Sequence, residues 1–212
     1  MHYVCEGSVG EGNGATVLLL HGWPGFSYDW RRIIPELSQS FRVIAPDFRG
    51  FGNSDKPNGD PAEFYTPQVL AKDLIALLDH LKIGPVIIVA HDIGSTVAQV
   101  MAREYPDRVQ SLLLLNPPYP GIGDRRFLPS AQKEFWYQNF HNLPIAEQLV
   151  GYNRATVKIY LTYFYNHWTG RKDALREEEL EVIIDMYAKP DAFAKSIYYY
   201  RARAGARKGE GN

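Results

Sequence analysis

Residues 86–99 read VIIVAHDIGSTVAQ, and the change of pattern at His91-Asp92-Ile93-Gly94 decides the fold. The apolar run before this point is typical of a buried strand, and the residues after it have helical spacing. A carboxylate at the end of a buried strand is costly unless it has a partner or a function. From this stretch alone, Asp92 is either a nucleophile on a strand-to-helix turn or the N-cap of a helix over 93–105.

Strands and helices alternate through the first half of the chain. Continuous Val, Ile and Leu runs joined by single helices predict the α/β class, with a parallel sheet that is covered on both faces. The predicted strands are 15–22, 41–47, 85–90 and 108–117, and the predicted helices are 30–39, 67–81 and 93–105.

The second half of the chain has a different character. A loop rich in Pro and Gly follows Pro117, and no strand pattern recurs after Leu115. The remaining segments are aromatic and helical in spacing, which indicates a helical insertion over the carboxyl edge of the sheet. We therefore predict a partial core at 1–118, a helical cap at 119–204 and a flexible tail at 205–212.

Composition excludes several classes of function. The 212 residues carry a net charge of −1, so no basic excess indicates nucleic acid or an anionic membrane surface as a partner. No apolar run is long enough to span a bilayer, and no secretory signal is visible. The single cysteine, Cys5, fits a reducing compartment, so we expect a cytoplasmic protein. The sequence has neither metal-ligand spacing nor a Gly-x-Gly-x-x-Gly after a strand, so we expect no metal and no cofactor.

The strand, turn and helix around Asp92 match the context of a nucleophile elbow, written Gly-x-Ser-x-Gly in serine hydrolases. Here Asp92 takes the nucleophile position and Ala90 replaces the first glycine. The stretch HGWPG (21–25) also follows a strand, where this architecture places a second oxyanion donor. The backbone N–H groups of Trp23 and Ile93 are therefore the candidate oxyanion donors. We interpret DFRGFGNSD (47–55) as a structural turn that supports the first loop.

The order and spacing of HGWPG, DFRGFGNSD and AHDIG resemble the α/β-hydrolase fold family. The Asp nucleophile narrows the resemblance to epoxide hydrolases and to haloalkane and fluoroacetate dehalogenases. The stretches FWYQNFH (135–141) and IYYYRARA (197–204) are similar to the cap of soluble bacterial epoxide hydrolases. That resemblance implies opening of an epoxide to a vicinal diol through an aspartyl ester.

The same resemblance assigns roles to cap residues and to a pocket. It implies that the Tyr137 and Tyr200 hydroxyls hold the epoxide oxygen and donate a proton to it, while Asp92 attacks a ring carbon. A phenol, with an ordinary pKa near 10, is a suitable acid for an alkoxide. The implied pocket suits an apolar or aryl epoxide. Its residues are His21, Phe26, His91, Trp136 and Phe140, of which the two histidines orient loops.

Two alternatives stay open. A dehalogenase usually has a Trp or an Arg after the nucleophile, where this chain has Ile93, although Trp136 could imitate a cap Trp of the fluoroacetate group. A hydrolase scaffold that lacks its base can also act as a non-catalytic ligand-binding protein.

Hydrolysis of an aspartyl ester needs a general base, which the family resemblance places after the cap together with an orienting acid. Asn116, which follows the last predicted strand, cannot serve as that acid. We expect this part of the core to be absent from the chain, which alone would be alkylated once and not turn over. We also expect an exposed sheet edge and self-association.

Overall fold

The computed structural model describes residues 1–7, 14–118, 124–171 and 173–208. Its first half has the predicted alternation of strands and helices. The strands are β1 Tyr3–Glu6, β2 Thr16–Leu20, β3 Arg42–Pro46, β4 Val86–His91 and β5 Val109–Leu115. The helices are α1 Ile34–Leu37, α2 Pro61–Phe64, α3 Pro67–His80 and α4 Ile93–Glu104, with short 3-10 helices at Ser27–Trp30 and Pro106–Arg108.

The five strands form one sheet in the order β1-β3-β2-β4-β5. Strand β2 pairs in parallel with β3 and β4, so that Leu18 lies opposite both Ile44 and Ile88. Strand β5 pairs in parallel with β4. The α/β class is therefore confirmed, and it places the carboxyl ends of β2 and β4 side by side.

Strand β1 adds an edge strand to the predicted parallel sheet. It pairs antiparallel with β3, with Tyr3 opposite Pro46 and Cys5 opposite Ile44. An antiparallel edge strand on an otherwise parallel sheet is common in this class.

The central strand β2 is buried along its whole length, which requires cover on both faces of the sheet. Alternate residues point to opposite faces, so Val17 and Leu19 share one face. That face packs against Trp30 and Ile34 in a cluster that also includes Val43 and Ala45.

The prediction of one helix over 30–39 is wrong. The structure has a 3-10 helix at Ser27–Trp30, then a turn, then the four residues of α1. Pro35 explains the break, because proline is tolerated in the first turn of a helix but removes a hydrogen bond in its interior. Pro35 lies in the first turn of α1.

The chain divides into two compact units, Met1–Gly121 and Ile122–Asn212. In the described part of the second unit, every regular element is a helix. Its α-helices are α5 Pro129–Glu134, α6 Trp136–His141, α7 Ile145–Val150, α8 Arg154–Trp168, α9 Glu177–Tyr187, α10 Ala192–Ser196 and α11 Tyr198–Lys208. Over the described ranges, no helix has the length and apolar character that crossing a bilayer requires.

Two predicted segments fall partly beyond the described residues. Residues 119–123 of the predicted Pro/Gly loop lie outside them. Helix α11 runs to Lys208, into the stretch predicted as a flexible tail, and residues 209–212 lie outside the described ranges.

Strand β5 lies at the edge of the sheet and exposes apolar side chains. Leu112, Leu113 and Leu115 are 37%, 54% and 42% exposed. This exposure is what the sequence predicts for the edge, and self-association through it stays a prediction.

Candidate active site

The turn between β4 and α4 is a strained elbow with Asp92 at its tip. Asp92 has φ +51° and ψ −115°, which an L-residue with a side chain adopts only when its surroundings enforce it. Two hydrogen bonds fix this backbone: Asp92 N–H donates to the Leu115 carbonyl at 3.1 Å, and Gly94 N–H donates to the His21 carbonyl at 3.0 Å. The elbow is thus tied to both neighbouring strands.

The Asp92 side chain does not cap α4. Although Asp92 occupies the N-cap position, its carboxylate makes no capping hydrogen bond to the first turn. Instead Oδ1 accepts a hydrogen bond from the Trp23 backbone N–H at 3.1 Å. The N-cap interpretation of the carboxylate, which the sequence left open, is therefore wrong, and Asp92 faces the HGWPG loop.

Close approach of backbone explains the glycines at this point. A Cβ built on Gly94 would lie 2.5 Å from the Leu20 carbonyl oxygen, and one built on Gly22 would lie 2.5 Å from the Asp92 Cβ. Neither distance is compatible with a side chain unless the backbone moves. The small residues that the elbow pattern requires are thus set by the contact between β2, β4 and α4.

We expect Gly94→Ala to destabilise the protein by about 1–3 kcal/mol, because the added methyl group overpacks against backbone that cannot rotate away. This loss should outweigh the better helix propensity of alanine. Gly84→Ala is the matched control, since a Cβ there has no neighbour within 4 Å. Urea unfolding of the two variants measures the difference, and equal stabilities would contradict the close approach of Gly94 to Leu20.

The HGWPG loop is held by its own turn and by a carboxyl group that follows it. Gly25 N–H donates to the Gly22 carbonyl at 2.9 Å, and the Trp23–Pro24 peptide bond is cis. A Cβ on Gly25 would lie 1.7 Å from Asp29 Oδ2, so the Asp29 carboxyl group fills the space of a side chain at position 25.

Asp29 is a residue that the sequence analysis missed. Burial, more than any neighbouring charge, raises the pKa of Asp29 to about 7. The signal in the sequence is a carboxylate four residues after Gly25, the second glycine of HGWPG, on the short helix that follows. A carboxylate at this spacing is too common to identify a site by itself.

His21 is buried and acts as a brace between loops. Because Phe48 N–H donates to His21 Nε2 at 3.1 Å, Nδ1 carries the proton and donates to the Gly22 carbonyl at 2.9 Å. Burial lowers the pKa of His21 and keeps the ring neutral, although the nearby Asp47 acts in the opposite direction. His21 thus makes hydrogen bonds to Gly22 of the HGWPG loop and to Phe48 of the following turn, and its role in the site stays a prediction.

Asp47 confirms that the stretch 47–55 supports the first loop. Its fully buried carboxylate accepts hydrogen bonds from Ser27 N–H at 2.7 Å and from Asn53 N–H at 2.9 Å. Gly52 has φ +49°, and a Cβ there would lie 2.2 Å from Asp47 Oδ2. The glycine is therefore required both by its backbone conformation and by the carboxylate beside it.

In the second unit, the structure brings the two predicted tyrosines together. Tyr137 of α6 and Tyr200 of α11 are 5% and 6% exposed. Their ring centroids lie 5.8 Å apart with an interplanar angle of 86°, an edge-to-face pair. Gln138 Nε2 donates to the Tyr137 hydroxyl at 3.1 Å.

His141 packs against both of these tyrosines. Its ring centroid lies 5.5 Å from that of Tyr137 and 4.9 Å from that of Tyr200, and its Nε2 lies 3.0 Å from the Tyr160 hydroxyl. Burial, followed by the charge of Arg201, lowers the pKa of His141 to about 3. His141 is therefore neutral at physiological pH.

The other predicted pocket residues are distributed over the two units. In the first, Phe26 is buried and stacks on Tyr28, and His91 ends β4 directly before Asp92. In the second, Trp136 stacks on Phe164 with ring centroids 5.8 Å apart. Phe140 lies 6.0 Å from Trp136, measured between ring centroids. Ile93 is the first residue of α4 and is buried. The pocket assignment of Phe26, His91, Trp136 and Phe140 stays a prediction, as does the assignment of Ile93 as an oxyanion donor.

Comparison with known proteins agrees with this geometry. Residues 15–146 match the alpha/beta hydrolase fold family. Human epoxide hydrolase 4 is 32% identical over 204 residues, which cover 94% of this chain and 55% of the human protein. A soluble epoxide hydrolase from Corynebacterium sp. (strain C12) is 40% identical over 134 residues, which cover 62% of this chain and 43% of that protein.

Solved structures show the same likeness. Epoxide hydrolase CorEH without ligand is similar with a TM-score of 0.82 and 30% identity, over 95% of this chain and 69% of that chain. The chain spans about half the length of the curated relatives it matches. From its motifs, its sheet topology and these likenesses, the chain belongs to the alpha/beta hydrolase fold family and is close to the bacterial epoxide hydrolases.

Proposed function

We propose that this chain carries the nucleophile and the acids of an epoxide hydrolase, with Asp92 as the carbon-attacking group. The observation that carries the proposal is the Asp92 carboxylate, which lies on a strained elbow, does not cap its helix and accepts one backbone N–H on Oδ1. The names of the relatives support the choice of epoxide over other electrophiles.

The hydrogen bond from Trp23 distinguishes the two carboxylate oxygens. Oδ1 is already bound to the Trp23 N–H, so Oδ2 is the oxygen that attacks the epoxide carbon. The carbon–oxygen bond of the ring breaks, and its electron pair stays on the epoxide oxygen, which takes a proton from a phenol of Tyr137 or Tyr200. The product is an ester on Asp92 through Oδ2.

The same hydrogen bond then serves the second half of the reaction. Once a general base takes a proton from water, the water oxygen attacks Cγ of the ester, and negative charge develops on Oδ1, where the Trp23 N–H already points. The N–H of Ile93, at the N-terminus of α4, is the second donor that we assign to this oxyanion. The ester then breaks down to the diol and the free carboxylate.

An apolar or aryl epoxide is the substrate class that we propose. The cluster around Trp136, Tyr137 and Phe140 offers aromatic surface, and Trp136 itself is 38% exposed.

We also propose a cytoplasmic location. Cys5 is exposed and is a free thiol, which is compatible with a reducing compartment.

Intact-protein mass spectrometry after incubation with styrene oxide tests the proposal. We expect a gain of the mass of one styrene oxide, mapped to the peptide that contains Asp92. The control is Asp92→Asn, which keeps an acceptor for the Trp23 N–H but lacks the nucleophile, and it should show no adduct. An adduct on another residue, or an unchanged adduct in the variant, would contradict the assignment.

The same experiment separates the alternatives. A dehalogenase would form its adduct, with release of halide, from a haloalkane or a haloacetate rather than from styrene oxide. Reversible retention of styrene oxide without any adduct would favour a binding protein. Persistence of the adduct, or release of phenylethanediol over many cycles, then shows whether this chain also hydrolyses the ester.

A further inference from the structure

The residue after Tyr200 connects the helices that carry the two tyrosines. Arg201 Nε donates to the His141 carbonyl oxygen at 3.0 Å, and Nη2 donates to the Leu143 carbonyl oxygen at 3.2 Å. Nη1 forms an ion pair with the Glu147 carboxylate. One guanidinium group thus links α11 to the end of α6 and to α7.

The acceptor on α6, the His141 carbonyl group, needs such a partner. His141 is the last residue of α6, and the final carbonyl groups of a helix have no intrahelical donor and carry its negative end. Helix α6 has only six residues, so its position depends on tertiary contacts rather than on its own stability. The planar donors of an arginine can bond several acceptors at fixed angles, which a lysine cannot do.

Packing of the aromatic rings alone does not fix the position of α6 relative to α11 as the Arg201 hydrogen bonds do. The edge-to-face contact between Tyr137 and Tyr200 and their contacts with His141 hold the ring bodies near one another. Dispersion contacts of this kind are weakly directional, whereas hydrogen bonds at both ends of a guanidinium fix a distance and an angle. The Arg201 side chain is only 18% exposed, so solvent screens these bonds less than those of a surface pair.

We propose that Arg201 is a positioning residue, which sets the two phenol hydroxyls relative to each other for protonation of the epoxide oxygen. This inference rests on the proposed function. It assigns no contact between Arg201 and the substrate. Its consequence is that loss of the guanidinium slows ring opening while the folded protein still binds the epoxide.

The experiment measures single-turnover formation of the styrene oxide adduct on Asp92 in the 212-residue chain, by quenched flow and mass spectrometry. We expect Arg201→Met to lower the rate constant at saturating styrene oxide by about tenfold or more, since small misplacements of reacting groups have effects of this size. The half-saturation concentration should change by less than about twofold. Arg201→Lys should fall between Arg201→Met and the wild type.

Arg154→Met is the matched control. Arg154 also joins two helices of the second unit, α8 and α9, through ion pairs with Glu181 and Asp185. Neither helix carries Tyr137 or Tyr200, so the control should retain the wild-type rate constant. A purely structural role of Arg201 would lower the adduct amplitude, which counts folded protein, and leave the rate constant unchanged.

The possible failures are distinguishable. If Tyr200→Phe slows adduct formation and folded Arg201→Met does not, the positioning role is overturned and the proposed function stands. If the wild type forms no adduct, both are overturned. If Arg201→Met does not fold, the rate constants of Arg201→Lys and Glu147→Gln test the inference instead. We expect both to be lowered, and wild-type rate constants in both would overturn the inference.

Discussion

Replacing Asp47 by alanine is expected to lower the free energy of unfolding by about 3–5 kcal/mol. The carboxylate is fully buried and accepts the backbone N–H groups of Ser27 and Asn53, and it also accepts a hydrogen bond from the His2 ring at 2.8 Å. A buried donor that loses its acceptor costs about 1–3 kcal/mol; the Ser27 N–H is buried, and the bonds from Asn53 and His2, which are partly buried, add to this cost. Urea unfolding followed by far-UV circular dichroism measures the change.

Two further variants separate this effect from the loss of a surface charge. Asp79→Ala removes an ion pair with Arg108 in the same unit, but Asp79 is 62% exposed, so the cost should stay below about 1 kcal/mol. Asp47→Asn retains one acceptor oxygen and should fall between the two alanine variants. If Asp47→Ala proved no more destabilising than Asp79→Ala, Asp47 would not support the loop as the structure indicates.

The parts of the site that the sequence predicted are those set by local chemistry. The elbow at Asp92 follows from a buried apolar strand, small residues and a helical pattern, all within 14 residues. Glycines that the backbone requires, such as Gly52 and Gly94, mark turns that can be recognised without the partner residues.

The parts that were missed depend on residues far apart in the chain. Arg201 meets His141 across a separation of 60 residues, and nothing in either local sequence indicates the other. The carboxyl group of Asp29 beside Gly25 is also a tertiary contact, in which the side chain occupies space that the loop leaves empty. The prediction of a single helix over 30–39 was wrong because it relied on the helical spacing of apolar residues and neglected Pro35, which is not tolerated in the interior of a helix.

The aromatic residues of the second unit also divide into predicted and missed features. The spacing of Tyr137 and Tyr200 relative to their neighbours supported the resemblance, and the structure places their rings in contact. Periodicity did not indicate that His141 would pack against both of them as a neutral, fully buried group. Burial of a titratable side chain is a property of the packed unit, and it has a measurable consequence for stability.

Acid should destabilise the protein through His141. In the fold, its pKa is lowered from 6.5 to about 3, chiefly by burial and then by the charge of Arg201. The unfolded chain therefore binds a proton below pH 6.5 that the folded chain does not bind. The stability contributed by neutral His141 is complete above this pH and is lost as the pH falls toward 3, by about 1.4 kcal/mol for each unit.

The control is a double variant, His141→Phe with Tyr160→Phe, which keeps two aromatic rings and removes both partners of the hydrogen bond between Nε2 and the hydroxyl. Between pH 7.5 and pH 4.5, the wild type should lose about 2–3 kcal/mol more of its free energy of unfolding than the double variant. Carboxylates titrate in the same range, but they are common to both proteins and cancel in the comparison. Parallel pH profiles in urea unfolding would show that protons reach His141 in the folded state, and the enclosure of this ring by Tyr137, Tyr160 and Tyr200 would then be wrong.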